Sequence, residues 1–223
     1  MTMRAKDLNR YLGDLGWRRS PIPPESKASP APIESAGEDS LEGLATTAAG
    51  CTLCRLSEKR QTVVFGEGDP TAGVMFIGEG PGADEDRTGR PFVGQAGKLL
   101  DRMIFAMGFE RDEVYSANVV KCRPPGNRDP KDDEVAACAD FLDRQIDLIE
   151  PEVIIALGKP ASRRLTGTNK PMGALRGRWS SYRGTPLMPV FHPAYLLRNP
   201  KAKREVWEDL KLVMRRLDST TDE

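Results

Sequence analysis

The chain has 223 residues, 33 Lys+Arg against 33 Asp+Glu, 39% hydrophobic residues, four Cys and one His. That length suits one α/β domain with an appendage, able to bury a core without cross-links. No run of about 18 apolar residues exists to span a membrane. The N-terminal stretch lacks an apolar signal core, so a cytoplasmic protein with reduced or metal-bound thiols is expected and a disulfide scaffold is excluded.

Residues 1–19 predict an amphipathic helix, with Leu8, Tyr11, Leu12 and Leu15 at helical spacing. Residues 20–40 are rich in Pro, Ser and Ala and read as a flexible linker. The globular part is placed at residues 41–218, with a polar tail at 219–223. Four short apolar runs follow: Gly73–Glu79, Val114–Val120, Val153–Gly158 and Pro186–His192. Their lengths fit buried strands. Helical patterns fill the intervals at Gly97–Met107, Asp132–Ile149 and Pro160–Leu165, and a last one follows at Ala202–Leu217. Such alternation predicts a parallel sheet with helices on both faces, and the ligand site should lie at the C-terminal ends of the strands.

Those ends carry the chemistry. The first strand runs into Gly78-Glu79-Gly80-Pro81-Gly82, whose glycines let backbone approach a flat ligand, and then into the acidic run Asp84-Glu85-Asp86. It is not a dinucleotide fingerprint, because the glycine spacing differs and Pro81 removes a donor. The second strand brings Asn118 and leads to Cys122. His192, the one imidazole, ends the fourth strand, where it can donate to a leaving group that gathers negative charge. Cys51-x-x-Cys54 with Cys122 and Cys138 supplies four thiolates, which suit either zinc or an iron–sulfur cluster. The zero net charge hides an asymmetry: from Lys159 to Arg204 there are eleven Lys/Arg and no Asp or Glu. That block is either a surface for a polyanion or a face with counter-charges folded over it.

The segments GEGPGADED (78–86), PFVGQAGKLLD (91–101), NVVKCRPPGNRDP (118–130) and HPAYLLRNP (192–200), with the four-Cys spacing, resemble family 4 uracil-DNA glycosylase. The resemblance covers Gly50 to Leu217. It implies an α/β; three-layer α/β/α sandwich around a central four-stranded parallel sheet, and a 4Fe-4S cluster on Cys51, Cys54, Cys122 and Cys138, with zinc as the alternative. It also implies uracil-containing DNA as partner, a monomer, and a nucleoid-associated enzyme of base excision repair.

Carried over by position, Asn118 matches the asparagine that reads the pyrimidine edge and Phe92 the aromatic that stacks on the base. Gly78, Glu79 and Gly80 match the loop lining uracil and sugar. His192 matches the histidine that stabilises the uracil anion. Leu196, Leu197 and Arg198 match the loop that enters the duplex or grips phosphate. Glu79, Asp84, Glu85 and Asp86 are the acids available to hold water. No lysine is placed as an amine nucleophile, so a monofunctional enzyme is expected. A covalently trapping relative would need a second histidine, which this chain lacks. A non-catalytic binding module would explain the cysteines and the basic block but not the gathering of Phe92, Asn118 and His192. An electron-transfer protein would need an exposed cluster and a redox partner.

Overall fold

The computed structural model describes residues 40–220. The expected N-terminal helix and nearly all of the linker lie outside them.

Six strands form one sheet in the order β1-β3-β2-β4-β6-β5. They are β1 (Glu67–Gly68), β2 (Val74–Gly78), β3 (Tyr115–Asn118), β4 (Val153–Leu157), β5 (Ser180–Tyr182) and β6 (Thr185–Val190). The four expected strands are the central ones, and all three pairings among them are parallel. The sheet is wider than four strands because β1 and β5 add antiparallel edges. β5 is a hairpin on β6 turned by Arg183-Gly184, both at positive φ (50° and 91°), the geometry that two-residue hairpins favour.

The helices are α1 (Leu41–Ala49), α2 (Ala83–Thr88), α3 (Gln95–Met107), α4 (Asp132–Ile149), α5 (Gly158–Thr166), α6 (Met172–Leu175), α7 (Pro193–Arg198) and α8 (Ala202–Thr220). Ser40 caps α1, its hydroxyl accepting the Gly43 N–H. The period-two alternation of β2 sorts the core into two layers. Val74 and Phe76 face α3, α7 and α8, while Met75 and Ile77 face α1, α4 and α5. Every residue of β2, β3 and β4 is buried, as parallel strands covered on both faces must be. The result is an α/β/α sandwich.

The chain passes from β2 to β3 on one side and returns through α4 to β4 on the other. The C-terminal ends of β2, β3 and β4 therefore border a topological switch point, where a crevice opens. Among the described residues no helix is long and apolar enough to cross a membrane.

Candidate active site

A cleft of about 550 Å³ lies at those strand ends. Glu79, Phe92, Asn118, Asp129, His192 and Arg198 are among the residues that line it.

Asn118 ends β3 almost wholly buried, and its Oδ1 has no hydrogen-bond partner. A buried acceptor left unpaired costs about 1–3 kcal/mol, so this carboxamide is built to meet a donor in the cleft. Gly78 makes room for it: a Cβ there would lie 2.5 Å from Asn118 Oδ1 and 2.6 Å from Phe92 Cζ. At Gly80 a Cβ would meet Val120 at 2.7 Å, so a side chain at that position is resisted and the acid must come from elsewhere.

Phe92 sits at φ +56°, the left-handed region that bulky residues avoid. Two features hold it there. Glu85 accepts the main-chain N–H groups of Val93 and Gly94, each at 2.9 Å, and with its other oxygen that of Gly82 at 3.1 Å. Gly97 lets the turn close, since a Cβ there would stand 1.7 Å from the Phe92 carbonyl oxygen. The acidic run is thus largely structural. Glu85 ties the glycine loop to the Phe92 turn, buried Asp86 accepts the Gln61 N–H, and Asp84 pairs with Arg87.

His192 follows β6 and caps α7, its Nδ1 accepting the Ala194 N–H at 3.1 Å. The proton of the neutral ring therefore belongs on Nε2. Burial first, and the Arg198 charge second, push its pKa down to about 4. The ring centroid lies 6.4 Å from that of Phe92, tilted by 35°. Gly158, at φ +85°, allows this approach, because a Cβ there would meet the His192 Cβ at 2.9 Å.

Glu79 is an acid of the cleft whose pKa is pushed up to about 7, by burial first and then by the neighbouring carboxyl of Asp129. Asp129 was not among the expected residues. Its loop is braced by Arg128, which forks onto buried Glu134 at 2.8 and 2.6 Å and donates to the Asp129 carbonyl at 2.9 Å. The available signal was an acid directly before Pro130, in the loop that follows Asn118.

Leu196 corrects one expectation. It is wholly buried against the core beneath α7, so it anchors the loop and cannot enter a duplex. Leu197, 44% exposed, and Arg198 remain available.

The four cysteines are free thiols around a second cavity, and among the described residues no acid or imidazole lines it. Arg60 donates to the Cys51 carbonyl at 2.7 Å and to Cys122 Sγ at 3.4 Å, while the Lys121 main-chain N–H points at Cys138 Sγ, also at 3.4 Å. Among the described residues no three His, Cys, Asp or Glu side chains converge to hold a single ion.

Counter-charges do fold over part of the basic stretch. Arg163, Arg164 and Arg183 pair with acids of α4, and Arg176 pairs with Asp209 and Glu205 of α8. Arg198, Lys201, Lys203 and Arg204, running from the cleft along α7 into α8, have no such carboxylate within 4 Å among the described residues.

Residues 65–211 match the model of the uracil DNA glycosylase superfamily. A type-4 uracil-DNA glycosylase of Sulfurisphaera tokodaii is 45% identical over 185 residues, covering 78% of this chain and 84% of that protein. One of Thermotoga maritima is 45% identical over 180 residues, covering 78% and 93%. A type-5 uracil-DNA glycosylase of Pyrobaculum aerophilum is 32% identical over 169 residues, covering 67% and 72%. With its motifs on the strand ends of this sandwich, the chain belongs to the uracil DNA glycosylase superfamily, among the type-4 enzymes.

Proposed function

We propose that this protein removes uracil from DNA by hydrolysing the N-glycosidic bond, leaving an abasic site for base excision repair. The observation that carries the reading is the orphaned, buried Oδ1 of Asn118, facing the same cleft as the strained Phe92 and the Nε2–H of His192. The target nucleotide is turned out of the stack, at a cost of a few kcal/mol. Phe92 stacks on the base. Asn118 Oδ1 accepts the uracil imide N–H and its amide donates to the adjacent carbonyl. Cytosine presents the opposite pattern and would leave both groups unpaired, a mismatch worth about 10⁴-fold in discrimination.

As the bond from C1′ to N1 breaks, its electron pair leaves with the base. A neutral His192 donates from Nε2 to a carbonyl oxygen of the departing uracil, stabilising the anion without a proton transfer. The Glu79–Asp129 pair puts negative charge near the oxocarbenium sugar and takes the proton of the water that bonds to C1′. Leu197 and Arg198 fill or grip the strand at the vacated position, and the unpaired cations of α7 and α8 hold phosphates.

Four thiols with no carboxylate or imidazole beside them, no three of which converge on a point among the described residues, fit a 4Fe-4S cluster better than one zinc ion. Cys51, Cys54, Cys122 and Cys138 would hold it. When bound, it cross-links the segment before β1, the loop after β3 and helix α4.

The test is single-turnover cleavage of labelled oligonucleotides carrying one uracil, thymine or cytosine, with alkali treatment afterwards. Alkali-dependent scission at uracil alone is expected. Tight binding without scission would overturn the reading.

A further inference from the structure

Behind Asn118, on the side away from the cleft, the structure buries a cation. Lys121 is 2% exposed, and among the described residues no carboxylate acts on it. Its ammonium donates to the Asn118 carbonyl at 2.9 Å and to Gln145 Oε1, and it stands 5.9 Å from the centre of the Phe65 ring. Three ammonium N–H directions therefore have three fixed neighbours.

Gln145, from the middle of α4, is itself held. Its Nε2 donates to the Phe65 carbonyl at 3.0 Å and to the Tyr115 hydroxyl at 3.3 Å. The Asn118 carbonyl lies at the point where the β2–β3 ladder ends at Gly78↔Asn118, and the Lys121 ammonium supplies a donor there. A second connection runs the other way. The Lys121 N–H points at Cys138 Sγ, Cys122 is the next residue, and Lys121 lines the cysteine cavity.

An unpaired buried charge costs several kcal/mol unless something compensates it. Among the described residues, the one group whose charge acts on the ammonium is Cys138, at the cysteine cavity, while the same ammonium holds the main chain of the base-reading residue.

We propose that Lys121 is a positioning residue: its buried ammonium fixes the main chain of Asn118 and is charge-balanced by the thiolate centre, so uracil reading and metal retention are coupled through one side chain. This rests on reading Asn118 as the base reader and the four cysteines as cluster ligands. Wild-type protein tests that separately, by its uracil preference and its iron content, and failure of either would bring the proposal down with it.

The experiment uses the iron-loaded protein and the variant Lys121→Met, which keeps the bulk and removes the charge. Two ligands are compared: an oligonucleotide with a cleavage-resistant 2′-fluoro uracil nucleotide, and the same sequence with an abasic site, which offers Asn118 nothing to read. Loss of a hydrogen bond from a charged group predicts about a tenfold weaker affinity for the uracil strand, with abasic binding within about twofold. Iron release to a chelator should also quicken by about tenfold. Unchanged uracil affinity, equal loss of both ligands, or unchanged iron release would each overturn the proposal. Should Lys121→Met fail to fold, Gln145→Met decides through the ratio of uracil to abasic affinity. A fall in that ratio supports the proposal and a constant ratio overturns it.

Discussion

The Nδ1 atom of His192 accepts the main-chain N–H of Ala194 at 3.1 Å, so the first turn of α7 assigns the ring proton to Nε2. With burial and Arg198 holding the pKa at about 4, the imidazole is neutral at ordinary pH, and the proposed reaction uses it as a hydrogen-bond donor rather than an acid. Replacing it should therefore act on the transition state more than on binding. For His192→Ala a drop of about 10²–10³ in single-turnover rate is expected, with uracil-DNA affinity within about tenfold. Rate and affinity measured on the same oligonucleotide check this, and equal losses in both would contradict it.

The same partly buried ring makes stability depend on pH. Its folded pKa, about 4, lies below the ordinary histidine value of 6.5. The unfolded chain therefore binds the extra proton first. The contribution is fully present above about 6.5 and is lost as pH falls through about 4, on the order of 3 kcal/mol in all. Denaturant melts of wild type and His192→Asn should diverge across this window, the variant showing the shallower decline.

Glu79 shifts in the opposite sense. Burial and Asp129 favour its neutral form and raise it to about 7. If the carboxylate form takes the water proton, the rate should climb as pH rises through about 7. Asp129→Asn removes the neighbouring negative charge, so the ascending limb should move to lower pH. Glu79→Gln should abolish the limb altogether. A pH–rate profile in which Asp129→Asn leaves the midpoint in place would separate the two carboxyls functionally.

The central sheet was legible because β2, β3, β4 and β6 are short apolar runs between helices of clear periodicity. β5 was not, since Ser180–Tyr182 is exposed and polar and is defined by its turn rather than by alternation. That Asn118 and His192 follow strands onto one cleft, with Phe92 beside them, was readable from motif and position. The work of Glu85 was hidden, because an acid bonded to three main-chain N–H groups looks in sequence like any member of an acidic run. Lys121 was hidden for a related reason: nothing in a single sequence distinguishes a buried lysine from the exposed majority.

Gly78 gives the pocket its depth, which makes Gly78→Ala a sharp test. The new Cβ would press on Asn118 Oδ1 and Phe92 Cζ at 2.5 and 2.6 Å. Overpacking of this kind costs about 1–3 kcal/mol, well short of unfolding most domains. The variant should fold with its helix content intact yet lose at least about 10²-fold in uracil excision. Near-normal excision would mean that the base does not enter between these residues.

Leu196 and Leu197 are neighbours with opposite fates. Leu196 is wholly buried under α7 and Leu197 is 44% exposed beside the cleft. Leu196→Ala should cost about 2–5 kcal/mol of stability through the cavity it leaves, and activity per folded molecule should fall only as the loop loosens. Leu197→Ala should stay within about 0.5 kcal/mol of wild type in a urea melt. Its deficit should appear instead in uracil excision from duplex DNA, because a side chain that fills the vacated stack offsets the cost of flipping. On single-stranded DNA, where no paired stack must be opened, Leu197→Ala should excise uracil at close to the wild-type rate. Equal losses on both substrates would remove Leu197 from the duplex and leave Arg198 as the residue of this loop that meets DNA.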